Sequence, residues 1–125
     1  MPQRLPSAFL TTTENQLTGY RIVERMGVVR GITVRSRSIF GTFGAMLQQI
    51  GGGNISLLRD LCEQTRAEAF ALAVEHAQSL GANALVAIHY DATEIMSGVS
   101  EVLCYGTAMR VIPERVDQGD PRPNM

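Results

Sequence analysis

The hydrophobic positions of this chain change period several times, and each change marks an element. Phe9 to Thr13 is a short β-branched run that predicts a first, edge-like strand, and Glu14 to Gly19 carries turn chemistry. Tyr20 to Val34 reads as a long strand, with Tyr20, Ile22, Met26 and Val28 on one face and Val23 and Val29 on the other beside Arg21 and Arg25. Gly27 and Gly31 within it signal a bulge or a close backbone approach. The period then becomes helical. Apolar residues at 39, 43, 46, 47 and 50, after a cap at Ser36 or Ser38, predict a first helix that Gly41 and Gly44 each weaken by about 1 kcal/mol. Gly51, Gly52 and Gly53 stop it.

Asn54 or Ser56 caps a second, long helix running to Leu80. Leu58, Leu61, Cys62, Thr65, Ala69, Leu72, Ala73, His76 and Leu80 form its main stripe, which is expected to lie on the sheet. Phe70, Val74 and Ala77 form a smaller second patch. Gly81 ends the helix as a left-handed cap, and Leu80 to Asp91 is the stretch around which the chain is organised, because a strongly apolar strand starts there. That strand spans Ala84 to Ile95, a turn follows, and Glu101 to Ile112 is the last strand before Pro113.

Both C-terminal strands are apolar on both faces. Ala84, Val86, Ile88 and Tyr90 are placed opposite Leu85 and Ala87, and Val102, Cys104 and Ala108 opposite Leu103, Tyr105 and Met109. An antiparallel sheet with one wet face alternates instead. Two helices cover one face, so the other needs a second copy of the chain, and a homo-oligomer is expected. The fold class is α+β: an antiparallel sheet of three long strands plus one short strand, two helices on one face, in the order β-β-α-α-β-β. Residues 1–8 are an N-terminal lead, 9–113 a single domain, and 114–125, poor in apolar residues, a disordered tail.

Composition removes several function classes. At 125 residues, 45% hydrophobic and 18% charged with net charge −1, the chain has no electrostatic footprint for nucleic acid or an anionic membrane. Every basic side chain is Arg, which excludes a lysine Schiff base and a Walker-type lysine. The triple glycine follows a helix rather than a strand and reads as a connector. Cys62 and Cys104 are far apart and outside any CxxC pair, so neither a disulfide framework nor a cysteine zinc site is expected. With no signal-peptide-like or spanning segment, a reducing cytoplasm is the expected compartment.

The candidate chemistry is sparse. His89 and Asp91 stand two apart on a strand, so both leave by one face, and imidazole with carboxylate suits zinc, nickel or copper. A divalent metal site needs three or four donors. Cys104 joins only if the hairpin register puts it on that face, and Glu94 belongs to the opposite one. His76 reads as a half-buried, hydrogen-bonded core residue, Cys62 as a small buried hydrophobe, and Arg30 to Arg37 as a solvated connector. No nucleophile elbow or paired carboxylates point to an enzyme.

Three segments together resemble the YbjQ-like family of small bacterial and archaeal proteins, which carries a heavy-metal-binding label and no characterised function. They are Thr11-Thr12-Thr13 with Gly19 to Val23 and Gly27 to Gly31; the Gly51 to Gly53 stop before an Ala- and Glu-rich helix; and Leu80 to Val86 with Tyr105-Gly106-Thr107-Ala108. The resemblance spans residues 9 to 112. It implies a dodecin-like subunit and a ring-shaped homo-oligomer, a pentamer, and it implies no catalytic residues. Ile32 and His89 depart from it, standing where acidic residues are common. The functional expectation is a homo-oligomeric binding protein for a metal ion or small ligand; the alternative is a structural or interaction module with neither ligand nor catalysis.

Overall fold

The computed structural model describes residues 8–36 and 55–114. Strand β1 is Leu10–Thr11, β2 Tyr20–Ser36, helix α1 Ile55–Ser79, β3 Ala84–Met96 and β4 Val99–Pro113. One four-stranded sheet has the order β1-β3-β4-β2. The class is α+β as the periodicity predicts, but the sheet is mixed rather than antiparallel. The short strand runs parallel to β3, pairing Leu10 with Ala84 and Thr11 with Leu85, while β2 and β3 are antiparallel to the central β4. Only one helix is described; the predicted first helix, residues 1–7 of the 1–8 lead and the tail beyond Glu114 lie outside the described residues. No helix among those residues is long and apolar enough to cross a membrane.

The helix packs across β2 and β4 on one face of the sheet, called here the helix face, and scarcely touches β3. Its buried line is Leu61, Thr65, Ala69, Ala73 and Ala77, spaced by four. The stripe read from the sequence is therefore turned toward the second patch. Ala77 is fully buried and Phe70 and Val74 pack on the core, whereas Leu58, Leu72, Leu80 and Cys62 are exposed. Small side chains explain the shift, because they let the helix backbone press onto Gly31 of β2. A Cβ at Gly31 would run into the Ala69 carbonyl oxygen and the Ala73 nitrogen. Hydrophobicity alone ranks leucine above alanine and misses this demand for closeness.

Local chemistry fixes the rest. Gly81 (φ +90°) ends α1 in a Schellman arrangement: the Ala82 N–H donates to the Ala77 carbonyl at 3.1 Å and the Gly81 N–H to the Gln78 carbonyl at 2.9 Å. Asn83 then clamps β4, its Nδ2 donating to the Val111 carbonyl (2.9 Å) and its Oδ1 accepting from the Val111 N–H (2.8 Å). Gly27 (φ +97°) sits at a register shift in β2, as its position suggests. Two such shifts, after Ile22 and after Arg25, cancel in parity. Val28 therefore stands on the face away from the helix with Tyr20 and Ile22, and Val29 is buried beneath the helix, as the alternation predicts. Met26, at the second shift, packs on the helix-face core instead. Arg30 and Arg35 belong to β2 rather than to a connector, and Arg35 pairs with Glu68 at 2.6 Å.

Among the described residues, the second face of the sheet is only half covered. At one end Leu10, Leu17, Tyr20 and Ile22 pack on Ala84, Val86, Met109 and Val111. At the other end Val28, Ile32 and Val34 are 66%, 41% and 50% exposed, flanked by Leu103 and Tyr105 of β4. This is the open face, and the candidate donors stand on it.

Candidate functional site

A bulge in β3 decides which side chains share a face. Ala87 takes φ 55°, a left-handed conformation that β-carbon sterics disfavour, and Ala87 and Ile88 together oppose one residue of β4. The Ala87 N–H donates to the Glu14 carbonyl at 2.8 Å, so the segment after β1 braces the bulge. Beyond it the alternation is reset. Ile88 and Tyr90 point to the helix face; His89 and Asp91 point to the open face, opposite Tyr105 and Leu103. The simple alternation read from the sequence, with Val86, Ile88 and Tyr90 together, is corrected by that inserted residue.

His89 and Asp91 do share a face, and both are exposed. The His89 ring lies 5.7 Å from that of Tyr105, tilted by 37°. Its Nδ1 is 3.2 Å from the Ala87 carbonyl oxygen. A proton on Nδ1 donated to that oxygen leaves Nε2 with its lone pair outward, the orientation in which histidine ligates metals. The bulge thus sets both the carbonyl and the ring.

Cys104 does not join them. It pairs with Tyr90 across the β3–β4 ladder, so it faces the helix and is fully buried. Glu94 is on the helix side, as the spacing predicts, and its Oε2 accepts the Gly98 N–H at 3.1 Å in the hairpin turn. Among the described residues no three His, Cys, Asp or Glu side chains are grouped to hold a metal ion. One copy of the chain offers two donors.

His76 is half-buried, and its Nδ1 accepts the Arg30 backbone N–H at 3.2 Å, fastening α1 to the outer strand. It is structural, as its place in the stripe suggests. A cluster that the sequence did not reveal lies on the helix face. Burial pushes the Cys104 thiol above its ordinary value, against a smaller opposing effect of its hydrogen bond to Tyr90. Burial also raises the Tyr90 phenol, and Cys104 adds to this, while Arg66 opposes it with its guanidinium 5.4 Å from the Tyr90 ring centroid. No spacing links 66, 90 and 104; the ladder register pairs Tyr90 with Cys104, and the packing of α1 brings Arg66 over Tyr90.

Comparison with known proteins places this geometry in a family. The YbjQ family model, described as "Putative heavy-metal-binding", matches residues 9–112. A UPF0145 protein of Solibacter usitatus is 59% identical over 109 residues, covering 87% of this chain and 96% of its own. A UPF0145 protein of Chromobacterium violaceum is 53% identical over 106 residues, covering 85% and 91%. A solved structure from Pediococcus pentosaceus, a protein of unknown function in the DUF74 family, superposes with TM-score 0.52 at 18% identity, over 82% of this chain and 97% of that one. At that identity it speaks for the fold alone.

Proposed function

We propose that this chain, which belongs to the YbjQ family, works as a homo-oligomeric binding protein whose copies associate through the open face of the sheet and gather metal donors there. The observation that carries the reading is the exposure of Val28, Ile32 and Val34 on one sheet face. Several large apolar side chains exposed together on one face, here on both sides of Arg30, mark a contact with another molecule. A second copy is the simplest cover.

Assembly also supplies what a single chain lacks. His89 and Asp91 stand beside the apolar patch, on the same face. Two donors from each of two or more copies make the three or four that zinc, nickel or copper require. Among the described residues, the outer edge of β2 and the edge of β3 away from β4 beyond Ile88 have no strand partner, so neighbours have edges as well as a face to use. A heterologous contact of that kind gives a ring where its rotation closes, and five copies is the number expected from the family resemblance. The free thiols of Cys62 and Cys104 suit a reducing cytoplasm.

The competing reading is an assembly module that holds no ion and does no chemistry. It is favoured by the count of two donors per chain. Elemental analysis of the purified assembly, followed by titration calorimetry with zinc and nickel, separates the two. Metal bound in a fixed ratio to chains supports the binding reading; adventitious traces that survive His89→Ala overturn it.

A further inference from the structure

Because α1 sits over β2 and β4, the helix face of β3 beyond the buried Ile88 is left uncovered among the described residues, and a groove opens there between helix and strand. One part, about 400 Å³, is lined by Glu63, Arg66, Ala67, Phe70 and Tyr90. Its volume lies within the roughly 300–1,000 Å³ of small-molecule sites. A second cavity, about 190 Å³ and walled on one side by Cys62, lies on the other side of Arg66, which lines both.

The charges in the groove are specific. Glu63 and Arg66 are three residues apart on α1 and so stand on adjacent turns of one face. Among the described residues neither has an ion-pair partner, in contrast to Arg35, which is tied to Glu68. The Arg66 guanidinium is held over the Tyr90 ring. Phe70, Ala67 and that ring supply apolar walls.

From this arrangement we infer that the groove binds a small zwitterion with an apolar body, of the chemical class of an aromatic α-amino acid. Arg66 takes the carboxylate, Glu63 the ammonium, and Phe70 with Tyr90 the side chain. A plain carboxylate meets repulsion from Glu63, and a plain amine meets it from Arg66. A ligand carrying both charges satisfies both groups at once, and its apolar part is drawn from water against the walls. The groove faces away from the open face, so this inference stands independently of the metal reading.

Saturation-transfer NMR on the full chain tests it with three probes: L-phenylalanine, 3-phenylpropionate and phenethylamine. L-Phenylalanine should bind about tenfold more tightly than either single-charge analogue, because each of those leaves one charged group unmatched. Arg66→Gln should weaken L-phenylalanine and 3-phenylpropionate and spare phenethylamine. Glu63→Gln should do the converse for the amine. Both side chains are exposed, and thermal melts confirm that the variants remain folded. Equal binding of the three probes, indifference to both substitutions, or no saturation transfer at millimolar probe overturns the inference.

Discussion

Tyr90 stands directly across from Cys104 in the β3–β4 ladder, and this one pairing separates Cys104 from His89 and Asp91 by the thickness of the sheet. The helix face thus holds a buried thiol and a phenol, and the open face an imidazole and a carboxylate. Metal binding and thiol chemistry are therefore expected to respond to different substitutions.

His89→Ala is expected to abolish stoichiometric zinc or nickel binding, and Cys104→Ala to leave its stoichiometry intact. Proton and metal compete for the same imidazole nitrogen, so binding weakens as the solution is acidified. Titration calorimetry on the two variants checks this. Equal affinity of His89→Ala and the natural chain ends the metal reading at this site.

Burial of Cys104 gives stability an alkaline limit. Folding raises the thiol's affinity for its proton. The resulting contribution is whole below about pH 8.5, where the unfolded thiol is protonated, and is lost as pH rises toward the higher folded value. Tyr90 adds a second loss starting at about pH 10. Urea midpoints between about pH 7 and pH 10 should fall, and Cys104→Ala should flatten the first part of that fall. An unchanged slope contradicts the assignment.

Gly31→Ala should cost about 3 kcal/mol, the upper end for overpacking, because its Cβ meets backbone of α1 rather than a side chain that can turn aside. Asn83→Ala should cost about 2 kcal/mol, one for each of its two bonds to Val111. Denaturant unfolding measures both. Losses below about 0.5 kcal/mol would place either site among ordinary surface positions.

The chain's periodicity revealed the long strands, the long helix and its Gly81 cap, since each depends on neighbours in sequence. The sharing of a face by His89 and Asp91 was legible for the same reason. What it concealed depends on residues inserted into the ladder. The bulge at Ala87 has no glycine to announce it, because its left-handed turn is held by the Glu14 carbonyl, far away in sequence. The shifts in β2 likewise turned Met26 toward the helix, away from Tyr20, Ile22 and Val28. The parallel pairing of β1 was hidden because two residues carry too little pattern to set a direction. The small-residue line Ala69, Ala73, Ala77 gained its meaning only from Gly31 across the interface.

Self-association through the open face is the central claim. Ile32→Asp puts a carboxylate on that face, where it is hydrated in a single chain, so fold stability should fall by about 1 kcal/mol, the span of strand propensity, with the chain still folded. In an assembly the same carboxylate is buried without a partner, which is costly. Phe70 is unsuitable for this purpose, since it packs on the core.

The most direct test is the native mass by light scattering across a size-exclusion peak at micromolar concentration, for the natural chain and Ile32→Asp. The account predicts a whole multiple of the 13.6 kDa chain for the former and a smaller species, still folded, for the latter. A single 13.6 kDa species for the natural chain would contradict it.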